Sequence, residues 1–300
     1  MPRLSVILPV RNGADYVRSA VASTLTALTR DSELVVLDDG SQDRTPEILD
    51  VFKDRRLRIL RREHSEGLAS GLNYLLDATD SEIVGRMDAD DVCFPWRFRH
   101  QVREYDRGTH FVFSQILHLG PGRFNLRPTR LDALNSRILP LQLLIENPVA
   151  HPTALFSRSA VRNLGCYRRV LSEDYDLWLR AAVRGYSMKR TSVPVLLYRH
   201  HPMQVTHRED WKLNSRTEPE LVEAHSQLVA SAIGLVGDRL SGLRSSTPTR
   251  GDLDRSVELI RALVHVLQSQ PADESQRRLK RKLGRLENQL LDLAVRGQLS

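Results

Sequence analysis

Two groups of aspartates each follow an apolar segment of the chain. Asp38 and Asp39 come directly after residues 34–37, and the run Asp88-Ala89-Asp90-Asp91 follows residues 83–87. At the carboxyl edge of an open α/β sheet, where ligands bind, such side chains point into solvent. Clustered carboxylates repel one another unless a cation or hydrogen-bond donors hold them. The pattern therefore predicts a divalent ion that carries an anionic group such as a nucleoside diphosphate.

One residue separates Asp88 from Asp90. In an extended segment, residues i and i+2 face the same side. Two carboxylate oxygens on one side suit Mg²⁺ or Mn²⁺, with phosphates and water completing the coordination. An isolated Asp-x-Asp pair is a weak signal, because aspartate is common in turns. The second acidic group, at another strand end, strengthens the metal-site hypothesis.

The elements that must position these aspartates alternate regularly over the first 90 residues. Apolar runs predict buried strands, and apolar residues spaced by three or four predict helices. Thr45 before Pro46 predicts a helix start with Thr45 as its N-cap. Strands alternating with helices are typical of a parallel, Rossmann-like sheet covered on both faces, hence an α/β fold. The predicted strands are residues 4–10, 33–37, 57–60 and 82–87, and the predicted helices are residues 17–28, 45–52 and 67–78.

The pattern after Asp91 is less regular, and from about residue 218 it becomes helical and charged. Two apolar stripes near the C-terminus predict a helical hairpin, packed on the main domain or on a second subunit as in a homodimer. The stripes are Leu253, Val257, Ile260, Val264 and Leu267, then Leu279, Leu283, Leu286, Leu290 and Leu293. The other predictions are helices at residues 95–105, 141–146 and 174–183, strands at residues 111–118, 153–156 and 194–198, a loop at 120–137 and a linker at 239–251.

Composition limits the class of protein. The 300 residues are 41% hydrophobic and 27% charged, which is typical of a folded soluble protein. The net charge of +7 suits an anionic substrate or an acidic membrane surface and proves neither. No apolar run has the length of a membrane helix, and the strand-like N-terminal run predicts no signal peptide. Cys93 and Cys166 lack metal-type spacing, which favours a reduced, cytoplasmic setting.

Six segments together carry a specific resemblance. They are SVILPVRN (5–12), VLDDGSQD (36–43), GLASGLN (67–73), RMDADD (86–91), SEDYDLW (172–178) and YRHHP (198–202). With these segments in this order, the chain resembles a family 2 glycosyltransferase with the GT-A fold over about residues 1–210. The resemblance implies a GT-A domain at residues 1–215 and a helical extension at 216–300. Within the domain, it implies a nucleotide-sugar-binding half at 1–105 and an acceptor half at 106–215.

The same resemblance implies roles for individual residues. Asp90 would bind a divalent metal, Mn²⁺ or Mg²⁺, that bridges the diphosphate of a nucleoside-diphosphate sugar, and the metal would neutralise charge on the leaving group. His201 would be a late metal ligand, with His200 as its rival and a solvated loop histidine as the alternative for both. The residues implied to contact the nucleotide sugar are Pro9, Val10, Arg11, Asp38, Asp39, Asn73, Asp88 and Ala89.

Asp174 matches the position of the family's general base. It would accept the proton of an acceptor hydroxyl as that oxygen attacks the sugar, and direct in-line attack would invert the anomeric centre. The alternative is that Glu173 and Asp174 merely enrich the first turn of a helix in acids, where the helix dipole favours them. His151, in a loop, is predicted either to face the acceptor or to be structural.

Three departures from the family pattern refine the prediction. Leu72 stands where many members carry an arginine that reaches the nucleotide, and Met203 stands where glycine is frequent. No Gln-x-x-Arg-Trp follows the base motif. Synthases that extend a polymer without release usually have that motif, so a single addition is favoured. The acceptor would be a glycan, a lipid-linked sugar or another hydroxyl compound in surface-glycan assembly.

Three alternative functions fit the sequence less well. Asp88-Ala89-Asp90-Asp91-Val92 also fits the D-x-D-x-V of haloacid-dehalogenase-like phosphatases, but those carry it on the first strand rather than the fourth. A phosphoacceptor switch domain would be much shorter, and a catalytically inactive sugar-nucleotide-binding protein is the strongest alternative that is not an enzyme. No Gly-x-Gly-x-x-Gly or P-loop pattern is present.

The basic segment 277–282 is compatible with two surroundings. A solvated helix face is favoured, and weak contact with anionic lipid at the inner face of the membrane is the alternative. Nucleic acid is disfavoured, because aromatic residues are not interleaved with the basic ones.

Overall fold

A computed structural model describes residues 1–119, 126–127, 131–201, 215, 218–240, 243 and 248–295. The chain forms two compact units. We call them the sheet unit, made of Met1–Ala133, Val149–Arg169 and Tyr186–Gln204, and the helical unit, made of Leu134–Pro148, Val170–Gly185 and Val205–Ser300. Met203, half of the predicted loop at 120–137 and nearly half of the linker at 239–251 lie outside the described residues.

The first 90 residues follow the predicted alternation of strands and helices. Thr45 does not cap its helix as predicted, because its hydroxyl donates to Asp43 and accepts from the backbone N–H of Gly13. The elements are β1 (Leu4–Val10), α1 (Val17–Ala27), β2 (Ser32–Asp39), α2 (Thr45–Asp50), β3 (Leu57–Arg62), α3 (Leu68–Asp77) and β4 (Ile83–Arg86).

The remainder contains short elements that apolar periodicity did not indicate, among them residues 92–93, 126–127 and 158–163. The predicted strand at 153–156 starts two residues late, because the backbone N–H of Thr153 closes a 3₁₀ turn by donating to the carbonyl of Ala150 at 2.9 Å. In chain order the elements are β5 (Val92–Cys93), α4 (Arg97–Tyr105), β6 (Phe111–Leu119), β7 (Leu126–Arg127), α5 (Ile138–Leu143), the 3₁₀ turn (His151–Thr153), β8 (Leu155–Ser157), α6 (Arg158–Asn163), α7 (Glu173–Val183), β9 (Met188–Arg199), α8 (Pro219–Ile233), α9 (Arg250–Gln268) and α10 (Glu274–Val295).

The described strands form one nine-stranded sheet in the sheet unit. Its order is β3-β2-β1-β4-β8-β6-β9-β5, with β7 paired to β6. The strands β3, β2, β1 and β4 run parallel, and β6 and β9 are parallel to each other, whereas β8, β5 and β7 pair antiparallel with their neighbours. The predicted α/β class with a mostly parallel sheet and a C-terminal helical extension is confirmed.

The core of the sheet unit explains why the first strands are almost wholly apolar. Val6 and Leu8 of β1 and Leu34 and Val36 of β2 are fully buried, as is Val17 of α1. Parallel strands covered by helices bury both faces, so their sequences read as continuous hydrophobic runs. The apolar runs of β2 and β4 stop at the strand ends, and the aspartates stand there.

The helical unit contains the predicted hairpin. Helices α9 and α10 pack together through buried leucines such as Leu259, Leu263 and Leu283, and Arg261 pairs with Glu287 at 2.7 Å. The predicted stripe of α9 is partly wrong, because Ser256 and Leu263 are buried where Val257 and Val264 were expected. Exposed Leu293 likewise departs from the predicted stripe of α10. Among the described helices, none combines the length and hydropathy needed to cross a membrane.

Gly40 directly follows the Asp38-Asp39 pair and has a φ of +71°. A Cβ there would meet the backbone nitrogen of Ser65 at 2.9 Å, whereas a Cβ at Gly108, with φ of +90°, would meet nothing within 4 Å. We expect Gly108→Ala to destabilise by about 1–2 kcal/mol, the left-handed penalty alone. Gly40→Ala should cost more, because the backbone must also shift. Chemical denaturation measures both, and equal losses would contradict this reading.

Candidate functional site

Three carboxylates converge where the chain leaves the sheet after β4. One oxygen each of Asp88, Asp90 and Asp91 lies within 4.8 Å of the others. The side chains of Asp88 and Asp90 are partly exposed, at 25% and 28%, whereas Asp91 is fully buried. Asp91 thus forms the buried side of the group. Asp88 and Asp90 form its solvent-accessible edge, which we call the rim.

The end of β9 brings a histidine to the same rim. His201 Nε2 lies 2.8 Å from Asp90 Oδ2, although 111 residues separate the two in sequence. His200 faces elsewhere: its Nε2 lies 2.8 Å from Nδ1 of His118 on β6. The structure therefore brings His201, rather than its rival His200, to the aspartates.

Arg199 holds the acidic segment from the side of β9. Its backbone N–H donates to Asp91 Oδ1 at 3.0 Å, and its Nε donates to the carbonyl of Asp90 at 2.9 Å. The guanidinium lies over the ring of Tyr16, 5.0 Å from the centroid, and the ring of His201 lies 5.0 Å from the same tyrosine. Sequence reasoning missed Arg199 and Tyr16. The YRHHP segment contains the arginine, but nothing in it indicates these contacts.

The carboxylates perturb one another. Burial raises the pKa of Asp88, Arg86 opposes the shift through an ion pair, and the charge of Asp90 adds to it. Burial, and then the charges of Asp88 and Asp90, raise the pKa of Asp91 well above its ordinary value. Burial and the same carboxylates raise the pKa of Tyr198. Burial and mutual repulsion thus favour the protonated forms of Asp88 and Asp91 unless a cation relieves the repulsion.

The arrangement fits a divalent ion. Asp91 Oδ2 is buried and accepts no hydrogen bond from the residues that the structure describes, so a ligand oxygen remains available. His201 Nε2 and Asp90 Oδ2 are 2.8 Å apart, and adjacent ligand atoms of an octahedral ion bonded at about 2.1 Å lie about 3 Å apart. Carboxylate oxygens with one imidazole suit Mn²⁺ and tolerate Mg²⁺. Asp90 and His201 are the residues best placed to hold it.

Two loops beside this rim are joined by side chains. Asn12, with φ of +51°, donates its N–H to Ser41 Oγ at 2.9 Å and accepts from the N–H of Gln42 at 2.8 Å. The loop after β1 is thereby held against the loop after β2, which parallel pairing of the two strands already brings together. Of the predicted nucleotide contacts on β1 and its loop, Val10 is buried, Pro9 is half-buried and Arg11 is exposed.

The two aspartates of β2 are buried and hydrogen-bonded. Asp38 Oδ1 accepts the N–H of Ser41 at 3.1 Å. Asp39 accepts the Ser65 hydroxyl at 2.6 Å and Arg62 at 3.4 Å. Each carboxylate is fixed in orientation by its neighbours, which suits recognition of a polar group at the strand end.

The remaining predicted residues of the sheet unit have structural contacts. Both amide atoms of Asn73 pair with the backbone of Tyr167, at 2.9 and 3.0 Å. His151 is buried, with Nε2 3.1 Å from the Tyr167 hydroxyl. Ala89 packs against the core, and Leu72 is fully buried. Asn73 therefore anchors α3 to the loop after α6, and its predicted contact with the nucleotide sugar stays a prediction.

Asp174 lies in the helical unit, in the first turn of α7. Its Oδ2 accepts the side-chain N–H of Asn147 at 2.8 Å, and its Oδ1 accepts the N–H of Tyr175 at 2.7 Å. The carboxylate is thus held by an amide from the segment after α5. Both the general-base role and the helix-dipole role remain compatible with this position.

These features define a class: an α/β protein with an acidic, histidine-flanked rim at the carboxyl edge of its sheet, as in GT-A transferases. The family model for glycosyl transferase family 2 matches residues 5–165. The chain belongs to that family.

Solved structures share the fold over nearly the whole chain. S. aureus TarS, in complex with UDP-GlcNAc, matches 99% of this chain and 93% of its own, with a TM-score of 0.61 and 16% identity. The mannosyltransferase PcManGT from Pyrobaculum calidifontis, in complex with GDP-Man and Mn²⁺, matches 98% and 86%, with a TM-score of 0.56 and 19% identity. At these identities, the likeness establishes the GT-A fold.

A relative in Escherichia coli is the UDP-Glc:alpha-D-GlcNAc-diphosphoundecaprenol beta-1,3-glucosyltransferase WfaP. It is 23% identical over 210 residues, covering 69% of this chain and 80% of WfaP. Coverage varies among such relatives, and the match spans just 31% of a longer glycosyltransferase from Rickettsia felis.

The raised pKa of Asp91 gives a prediction with a definite sign. Because its folded-state pKa exceeds the unfolded value of about 3.9, the folded state binds more protons, and stability falls as pH rises from about 4 through the raised pKa. Asp91→Asn removes that loss and keeps an acceptor for Arg199. With a metal chelator present, we expect the melting temperature of Asp91→Asn, relative to that of the wild type, to increase as the pH rises.

Asp43→Asn is the control of opposite sign. Although burial alone would raise it, hydrogen bonds from Thr45 and Ala14 hold the pKa of Asp43 below its ordinary value. Its stabilisation is present above about pH 4 and is lost on acidification. The melting temperature of Asp43→Asn, relative to that of the wild type, should therefore decrease as the pH rises. Parallel pH profiles for the two variants would contradict the assignment.

Proposed function

We propose that this chain is a metal-dependent, inverting glycosyltransferase that moves a single sugar from a nucleoside-diphosphate sugar to a hydroxyl acceptor. Family membership supports glycosyl transfer. The observation that carries the rest is the contact between Asp90 and His201 at the rim. Asp88 lies beside them, and so does Asp91, whose Oδ2 accepts no hydrogen bond from the described residues. The acceptor we propose is a glycan or lipid-linked sugar in polysaccharide or glycolipid synthesis, the chemistry that the name of WfaP describes for that protein.

Donor binding follows from the residues of the sheet unit. Asp90 and His201 would hold the divalent ion, and Asp88, tied to Arg86, would face the ribose or the water shell of the ion. A bound ion neutralises charge that develops on the diphosphate leaving group. Asp38 and Asp39, both at the end of β2, would accept hydrogen bonds from the base or ribose. Arg199 adds a fixed positive charge beside the acidic run.

Asp174 would supply the base. Its carboxylate would accept the proton of the acceptor hydroxyl while that oxygen attacks the anomeric carbon and the bond to the diphosphate breaks. Direct displacement inverts the anomeric configuration, so an α-linked donor gives a β-linked product. Asn147 would orient the carboxylate by its hydrogen bond. The absence of Gln-x-x-Arg-Trp after this segment supports a single addition.

Other parts of the proposal concern location and partners. We propose a cytoplasmic reaction. The described part of α10 exposes Arg277, Arg281 and Arg285, spaced four apart on one face, which suits contact with anionic lipid at low salt. The same helix could instead contact a second copy of the chain.

The metal assignment predicts loss of donor binding in Asp90→Asn. Removing the charge and one ligand oxygen should abolish the Mn²⁺-dependent part of UDP-, GDP- or dTDP-sugar binding, because the ion then lacks its main anionic ligand. Isothermal titration over the donor panel, with and without Mn²⁺, measures this. The control is Asp80→Asn, whose side chain is 72% exposed. Equal Mn²⁺-dependent binding by Asp90→Asn and the wild type would refute the assignment.

The base assignment predicts a different failure for Asp174→Asn. Donor and metal binding should persist, and the transfer rate should fall by about 10²–10⁴-fold, the usual contribution of a general base. Radiolabelled transfer to an acceptor panel measures the rate. Glu173→Gln, one residue earlier in the same turn, is the control. If both acids act only on the helix dipole, both variants lose stability and neither loses transfer.

A further inference from the structure

Arg97, the first residue of α4, is a buried cation that the proposed reaction does not use. Its side chain is fully buried, and in the part of the chain that the structure describes no carboxylate pairs with its guanidinium. Burying a charge without a counter-ion is expensive unless hydrogen bonds compensate. A guanidinium at such a place therefore calls for a specific set of partners.

Those partners are backbone carbonyls on both sides of the acidic run. Arg97 Nη2 donates to the carbonyl of Arg86 at 2.6 Å and to that of Pro152 at 2.7 Å. Its Nε donates to Gln101 Oε1 at 3.0 Å, and Gln101 Nε2 donates to the carbonyl of Thr153 at 2.7 Å. One turn of α4 thus joins the end of β4 to the 3₁₀ turn.

The Arg86 peptide that these bonds hold lies just before the acidic run Asp88–Asp91, the proposed metal-binding segment. Arg86 is the last residue of β4, and its N–H donates to the carbonyl of Ala154 at 2.9 Å. The N–H of Met87 donates to the carbonyl of Ile7 at 3.0 Å. Asp88 is the next residue, so the direction in which its carboxylate and those of Asp90 and Asp91 leave the sheet depends on how the Arg86 peptide is held.

The charge of Arg97 also acts on the cluster. Its guanidinium lies close enough to Asp91 for the two to attract each other. Among the described residues, Asp91 Oδ2 has no hydrogen-bond donor, and the charges of Asp88 and Asp90 repel Asp91, so a nearby cation is favourable there. Arg97 therefore acts on the site through both geometry and charge.

We propose that Arg97 is a positioning residue: it fixes the start of the Asp88–Asp91 run and balances its charge, so that the carboxylates converge on a divalent ion. This inference rests on the proposed metal site. Arginine is required because its planar fork reaches two carbonyls and a side-chain oxygen at once, which a lysine ammonium cannot match. Methionine would fill similar volume and supply neither donors nor charge.

The test compares Arg97→Met, Arg97→Lys and Arg99→Met by Mn²⁺ titration, with and without GDP or UDP. Arg99 is exposed on the same helix and serves as the control. Outer partners of metal ligands typically change metal affinity by about 10–100-fold when removed. We expect a loss of that size for Arg97→Met, a smaller loss for Arg97→Lys, and wild-type affinity for Arg99→Met.

Melting temperatures separate positioning from general destabilisation. A positioning role predicts that Mn²⁺ affinity falls in Arg97→Met even under conditions where it is as folded as Arg99→Met, and that lysine partly restores it. If Arg97→Met does not fold, Arg97→Lys carries the test. Affinity within twofold of the wild type in the folded variant overturns the inference. Failure of the wild-type protein to bind Mn²⁺ with either nucleotide overturns the proposed metal site itself.

Discussion

Repulsion among three carboxylates at the end of β4 is the constraint on which the rest of the site depends. Asp88, Asp90 and Asp91 crowd within 4.8 Å, and the fold surrounds them with arginines rather than dispersing them. Arg86 pairs with Asp88, Arg199 donates to the carbonyl of Asp90, and Arg97 donates to the carbonyl of Arg86. These arginines hold the carboxylates in place, while burial and mutual repulsion raise the pKa of Asp88 and Asp91. A divalent ion would relieve that repulsion.

The sheet explains why the acidic groups are at this edge. Strands β1, β2 and β4 are parallel neighbours and are buried along most of their length, and the aspartates stand at or just beyond the carboxyl ends of β2 and β4. The bond between Asn12 and the loop after β2 then joins two of these ends. The carboxyl ends of these parallel strands thus form one edge of the sheet, the place where open α/β sheets bind ligands.

Much of this could be predicted from the sequence, and the limits have physical causes. The strands and the aspartates at their ends follow from apolar runs that stop at charge. The supporting contacts of Arg97, Arg199 and Tyr16 could not be predicted, because hydrogen bonds to backbone carbonyls and ring contacts between residues distant in sequence leave no pattern in side-chain type. On α9, apolar spacing favoured Val257 over Ser256, yet Ser256 is buried because its hydroxyl donates to the carbonyl of Asp252 at 2.8 Å.

The pairing of Asp90 with His201 across 111 residues has a consequence for how the protein matures. During synthesis the first four strands can associate as soon as they emerge, whereas the histidine arrives only after β6 and β9 have been translated and have paired. Closing so long a loop is slow and entropically unfavourable. A nascent chain would thus hold the Asp88–Asp91 run early and His201 late, so the proposed ion site would be complete only after β9 has paired with β6.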